Sequence, residues 1–99
     1  MQRFEDPTKA IRALVGETFT VVLAGNPTTG FTWQPAFDPG YLELVDESFE
    51  PADKGVGSGG QEVFRFRAVA PGKSELSCEY RRPWDKRARD SRRFRIEIA

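Results

Sequence analysis

Few residues of this sequence could carry out chemistry, and none of them forms a catalytic pattern. The chain has no histidine, which excludes Ser-His-Asp and Cys-His nucleophilic pairs and removes the commonest metal ligand. Its one cysteine, Cys78, lies in an alternating segment that predicts a buried structural thiol. The adjacent carboxylates Asp46 and Glu47 point to opposite faces of a strand, which favours exposed charge over an acid–base pair. We therefore predict no catalytic residue, no metal ligand and no cofactor.

A glycine-rich segment at residues 55–60 matches the G-x-G-x-x-G pattern of dinucleotide-binding loops. That pattern requires a helix after the glycines, whereas a strand pattern follows here. The Lys-Ser/Thr pair that closes a phosphate-binding loop is also missing from the sequence. The segment is interpreted as a flexible or closely approaching stretch of backbone, with a plain hairpin loop as the alternative.

The composition predicts one globular domain spanning residues 1–99. With 99 residues, of which 38% are hydrophobic and 30% charged, the chain has room for a single core. One cysteine permits no intrachain disulfide, so packing alone must hold the fold together. No segment approaches the roughly 20 apolar residues of a membrane span. Residues 1–6 lack the apolar stretch of a signal peptide, which leaves a cytoplasmic location and a secreted or periplasmic one, after removal of a leader, both open.

Alternation of apolar and polar residues, the pattern of half-buried strands, runs through most of the chain. It is clearest at residues 17–23, 61–68, 75–80 and 93–98, and weaker at 11–15, 31–35 and 42–49. Glycine, proline and asparagine separate these segments, and no helical pattern is convincing. The sequence predicts an all-β fold, an immunoglobulin-like antiparallel β-sandwich of about seven to eight strands, with a small barrel as the alternative.

Three connecting segments have compositions that favour binding, although each could also be an ordinary turn. In the Asn-Pro loop (residues 26–31), proline and two adjacent threonines stiffen the backbone, and Gly30 can adopt a positive φ. The glycine loop (55–60) has Val56 as its only apolar side chain. The Arg-Pro-Trp loop, named for Arg82-Pro83-Trp84, carries arginine and tryptophan, which are enriched in binding hot spots. Because successive loops alternate between the ends of a sandwich, these three could gather at one end.

In their order and spacing, the three loops resemble those of the chagasin-type inhibitors of papain-like cysteine proteases. The matching residues are Asn26-Pro27-Thr28-Thr29-Gly30-Phe31, Gly57-Ser58-Gly59-Gly60 and Arg82-Pro83-Trp84, and the resemblance continues into residues 90–94. The resemblance implies a tight, reversible protein inhibitor rather than an enzyme. Its partner would be a clan CA protease such as papain or a cathepsin L-type enzyme, into whose active-site cleft the three loops would wedge.

The resemblance also implies a role for each loop. Thr28 and Thr29 would lie over the catalytic cysteine and histidine of the protease, the Arg-Pro-Trp loop would pack on one wall of the cleft, and the glycine loop would lie along the other side. The expected protease-binding residues are Asn26, Pro27, Thr28, Thr29, Gly30, Phe31, Val56, Gly57, Ser58, Gly59, Arg82, Pro83 and Trp84. Family members often carry two bulky apolar residues where this chain has Gly55 and Val56, so we expect weaker or altered discrimination among proteases with inhibition retained. A monomer is expected, since the loops must be free.

Two other functions are open, and the distribution of charge suggests the first of them. Residues 1–64 hold four basic and ten acidic side chains, a net charge of −6, whereas residues 65–99 hold eleven basic and five acidic ones, a net charge of +6. The basic run at residues 81–93 could bind nucleic acid, but Asp85 and Asp90 interrupt it and the whole chain is neutral, which favours a solvated loop. The second alternative is an immunoglobulin-like interaction module with a non-protease partner. Neither nucleic acid nor a membrane is the expected partner.

Overall fold

The computed structural model describes residues 2–26, 29–51 and 59–99, which form two facing β-sheets. The eight strands are β1 (Gln2–Phe4), β2 (Ile11–Ala13), β3 (Thr18–Gly25), β4 (Thr32–Ala36), β5 (Leu42–Pro51), β6 (Gly60–Ala68), β7 (Gly72–Arg81) and β8 (Asp90–Ile98). One sheet has the order β1-β3-β6-β5 and the other β2-β8-β7-β4. The predicted all-β sandwich of seven to eight strands is therefore confirmed.

The core lies between the sheets because the long strands turn every second side chain inward. Phe19 and Phe66 come from one sheet, and their stacked rings have centroids 5.8 Å apart. Leu76, Phe94 and Ile96 come from the other sheet, and all five side chains are almost completely buried. Burying side chains of this size contributes roughly 1.5–3 kcal/mol each, which is how a chain without a disulfide holds its two sheets together.

Two short edge strands differ from the sequence-based expectation. The alternation does not predict β1, which is only three residues long. β1 pairs in parallel with β3 and β2 pairs in parallel with β8, whereas the sequence predicted an antiparallel sandwich. The four remaining strand pairings are antiparallel. The direction of an edge strand depends on its distant pairing partner, so local alternation carries no information about it. Within the described ranges, no helix is long and apolar enough to cross a membrane.

The register of the strands brings the roots of the three loops to one end of the sandwich. Gly25, before the Asn-Pro loop, pairs with Gly60, the last residue of the glycine loop. Gly60 also pairs with Pro51, which precedes the glycine loop. In the facing sheet, Thr32 at the start of β4 pairs with Arg81 at the end of β7. The Asn-Pro loop thus passes from one sheet to the other, between the other two loops. We call this side of the molecule the loop end.

Candidate functional site

The described part of the Asn-Pro loop is held by a compact set of hydrogen bonds. The Thr29 backbone N–H and hydroxyl both donate to the Asn26 carbonyl oxygen, at 3.1 and 2.7 Å. The Thr29 hydroxyl oxygen accepts the Phe31 N–H at 3.4 Å, and the Asn26 N–H donates to the Tyr80 hydroxyl at 3.1 Å. Gly30 has a φ of +85°, a left-handed conformation that costs an L-residue about 1–2 kcal/mol. One threonine hydroxyl and one glycine therefore fix the described part of the loop.

A stack of aromatic and guanidinium groups joins the Asn-Pro loop to the Arg-Pro-Trp loop. The Phe31 ring lies on the Tyr80 ring with centroids 5.4 Å apart. The Arg82 guanidinium lies 5.0 Å from the centroid of Phe31 and 5.4 Å from the ring centroid of Trp84. Trp84 nevertheless leaves 70% of its surface exposed, which excludes burial against the sandwich edge. The arrangement presents a large, oriented apolar side chain at the loop end, where a partner could cover it.

Arg82 is fixed in place by Asp85. Its Nε and Nη2 donate to the two carboxylate oxygens of Asp85 at 2.9 and 3.2 Å, and its backbone N–H donates to the same carboxylate at 3.3 Å. The Asp85 N–H donates back to the Arg82 carbonyl oxygen at 3.0 Å. The hydrogen bonds from Arg82 lower the pKa of Asp85, and those to Asp85 raise the pKa of Arg82. Both groups therefore stay charged across the physiological range, and the turn around Pro83 keeps its shape.

A half-buried carboxylate, Glu62, lies beneath the loops and joins the two sheets. Both of its oxygens lie 3.2 Å from the Trp33 backbone nitrogen, which donates to them, and the Trp33 indole N–H donates to the Ala24 carbonyl oxygen at 2.9 Å. Desolvation raises the pKa of Glu62, partly offset by the hydrogen bond from Trp33. Sequence reasoning missed this residue. Its signal is the inward register of β6, in which position 62 shares the face of Phe64 and Phe66.

The glycine loop meets the Asn-Pro loop at Gly59. Gly59 has a φ of +77°. A Cβ at this position would lie 2.8 Å from the Gly25 carbonyl oxygen and 3.3 Å from the Asn26 Cβ. The close approach of the two backbones therefore requires glycine here. Gly59 thus joins the glycine loop to the Asn-Pro loop, and Arg82 joins the Asn-Pro loop to the Arg-Pro-Trp loop.

The structure gathers every described residue of the predicted binding set at the loop end. These residues are Asn26, Thr29, Gly30, Phe31, Gly59, Arg82, Pro83 and Trp84, whereas Pro27, Thr28, Val56, Gly57 and Ser58 lie outside the described residues. Cys78 is fully buried, and desolvation raises its pKa to about 12, so the thiol is not poised as a nucleophile. Among the described residues no group of histidine, cysteine or carboxylate side chains is arranged to hold a metal ion.

Comparison with known proteins matches most of this chain to one protein family. A sequence model of the family described as chagasin family peptidase inhibitor I42 matches residues 12–98. Chagasin from Trypanosoma cruzi is 38% identical to the chain over 92 residues, which cover 85% of this chain and 82% of chagasin. The match therefore includes all three loops and the strands that carry them.

Solved structures show the same fold. The crystal structure of the cysteine protease inhibitor EhICP2 from Entamoeba histolytica superposes with a TM-score of 0.77 at 17% identity, covering 91% of this chain and 85% of that one. The structure of PbICP-C in complex with falcipain-2 superposes with a TM-score of 0.60 at 14% identity, covering 98% of this chain and 95% of that one. At these identities the likeness establishes the common fold.

Proposed function

The chain belongs to the chagasin family of peptidase inhibitors, and from that membership we propose that its loop end covers the active-site cleft of a papain-like cysteine protease. The family consists of inhibitors, so the protein is a cysteine protease inhibitor and not an enzyme. The observation that carries the mode of binding is the convergence of three loops, two of them joined by the Arg82 stack, on one end of the sandwich.

Each loop has a separate role in this proposal. Thr28 and Thr29, at the centre, lie over the catalytic cysteine and histidine of the protease. Trp84, which already presents most of its surface to solvent, packs against one wall of the cleft. The glycine loop runs along the opposite side, where small residues allow its backbone to approach the substrate-binding groove. A wedge of three loops would bury about 800 Å² on each partner, the usual area for protease–inhibitor pairs.

Resistance to cleavage follows from the shape of the Asn-Pro loop. A protease cleaves a peptide that lies extended with its carbonyl carbon oriented within reach of the nucleophile. Here two hydrogen bonds hold Thr29 against the Asn26 carbonyl oxygen, closer than an extended chain would place these two residues. Because these bonds and the positive φ of Gly30 are already present in the free protein, little conformational entropy is lost on docking. The loop can therefore occupy the cleft tightly without becoming a substrate.

The test is a titration of active papain with the purified protein, following hydrolysis of a small fluorogenic substrate. We expect activity to fall to zero near one equivalent and the inhibitor to be recovered uncleaved. Papain whose thiol has been blocked by a small alkylating group should still bind, because the proposal involves no covalent bond to the inhibitor. Full activity of both papain and a cathepsin L-type enzyme at micromolar inhibitor would overturn the proposal and leave an interaction module with another partner.

A further inference from the structure

The Arg-Pro-Trp loop carries more positive charge than the contacts within the protein use. Lys86, Arg87 and Arg89 are exposed, and none forms an ion pair with any residue in the described ranges. The two acids nearby are already engaged, Asp85 by Arg82 and Asp90 by Arg92. Three cations are therefore left in excess on a loop that is part of the proposed binding surface.

A hydrogen bond and a ring contact of Arg89 determine where the excess positive charge lies. The Arg89 backbone N–H donates to the Tyr80 carbonyl oxygen at 2.7 Å, and its guanidinium lies 5.2 Å from the ring centroid of Phe31. The basic residues thus flank the same aromatic stack that orients Trp84. Lys86 and Arg87 come directly after Asp85 in the chain, so they follow a turn that is fixed by the hydrogen bonds between Arg82 and Asp85.

Acidic side chains are concentrated elsewhere in the molecule. The edge strand β5 carries four of them, and two are paired with arginines of its own sheet. These four residues are Glu43, Asp46, Glu47 and Glu50. Although the net charge of the chain is zero, its unpaired cations on the Arg-Pro-Trp loop therefore give the loop end a local basic field. Local fields of this kind act on association over about one Debye length, close to 10 Å at moderate salt.

We propose that Lys86, Arg87 and Arg89 form an electrostatic docking element, which selects cysteine proteases whose cleft is rimmed by acidic side chains beside the Arg-Pro-Trp loop. This inference rests on the proposed function and adds a partner preference to it. Charges at the rim of an interface change the association rate and its salt dependence more than they change the dissociation rate. The basic element therefore acts before the loops reach the cleft.

The experiment measures association rate constants by stopped flow, with two papain-like proteases of known structure, one with acidic and one with basic side chains around its cleft. The test variant is Lys86→Glu with Arg87→Glu. The matched control is Arg12→Glu with Lys73→Glu, which changes the net charge equally at the opposite end of the sandwich. At low ionic strength we expect the test variant to associate about tenfold more slowly with the acidic protease.

The same loss should shrink below about twofold near 0.5 M salt, and the control should change association less than about twofold throughout. Equal losses in test and control variants, or rates that do not depend on salt, would overturn the docking element while leaving the proposed function intact. Absence of inhibition by the unaltered protein would instead be a failure of the proposed function. Steeply salt-dependent binding of an oligonucleotide, abolished in the test variant while protease association is unchanged, would reassign the basic element to nucleic acid.

Discussion

Replacement of Trp84 by alanine tests whether this side chain is the main energetic anchor of the loop end. A tryptophan side chain buries up to about 250 Å², and Trp84 exposes 70% of its surface in the free protein. If a protease covers about half of that exposed area, the apolar contribution is roughly 2 kcal/mol at about 25 cal/mol per Å². We therefore expect the inhibition constant against papain to rise about thirtyfold.

The effect on folding should be much smaller, which separates binding from stability. In the free protein the Arg82 guanidinium lies over the Trp84 ring, a contact worth on the order of 0.5–1 kcal/mol at an exposed site. Both Tm and the inhibition constant are measured for Trp84→Ala and for Leu14→Ala. Leu14 is a matched control, since it is 61% exposed and lies near the opposite end of the sandwich.

The control variant should inhibit papain as the unaltered protein does. An inhibition constant for Trp84→Ala within about threefold of the unaltered protein, with Tm preserved, would refute the assignment of Trp84 as an anchor. A large loss of Tm would show that Trp84 contributes to the fold, in contradiction to its exposure. A loss of inhibition shared by Leu14→Ala would place the binding surface elsewhere on the sandwich.

Three loop-end changes and one core measurement extend the test. Burial raises the pKa of Glu62 above its ordinary 4.5, so the folded state binds a proton more readily than the unfolded one, and this contribution to stability is lost as pH rises through the raised pKa. Glu62→Gln, which can still accept the Trp33 N–H, should therefore have a higher Tm than the unaltered protein at neutral pH. This difference in Tm should disappear toward pH 4.5, and a difference independent of pH would contradict the reasoning. Gly59→Ala should lower the free energy of unfolding in urea by about 2 kcal/mol, because of its positive φ and the 2.8 Å approach of a Cβ to backbone, and an unchanged midpoint would show that the backbones can separate. Thr29→Val keeps the side-chain volume but removes the hydroxyl that bonds to Asn26 and Phe31, so the inhibition constant should rise about tenfold. Unchanged inhibition by this variant would mean that these two hydrogen bonds are dispensable for binding. The Cys78 thiol has a pKa of about 12, so only roughly one part in ten thousand is thiolate at pH 8. It should therefore resist a thiol reagent until urea unfolds the protein, and rapid labelling of the folded protein would contradict its burial.

The strands and the types of residue in the loops could be predicted from the sequence because both are local properties. Alternation located seven of the eight strands, since a buried face and a solvated face impose a period of two on the side chains of a strand. The stiff and glycine-rich compositions of residues 26–31, 55–60 and 82–84 marked them as unusual connections. The sequence did not predict β1, and the parallel direction of β1 and β2 could not be predicted because it depends on hydrogen bonds to β3 and β8.

The candidate site itself was predictable as a set of residues but not as a geometry. The motifs named Thr29, Arg82 and Trp84, and each proved to lie at the loop end. Glu62 was not named, because a glutamate in a strand usually faces solvent and only the register shows that this one turns inward beneath the loops. The stack of Arg82 between Phe31 and Trp84 was equally hidden, since these side chains meet only after the strands have paired.

The sequence by itself indicated a β-sandwich that has no histidine and carries three distinctive loops. Only the tertiary structure decided that the described parts of those loops lie at one end of the sandwich. Pairing of Gly25 with Gly60 and of Thr32 with Arg81 joins segments that are 35 and 49 positions apart in the chain. Contacts over such separations depend on the packing of two complete sheets, and the local preferences of the loops do not contain that information.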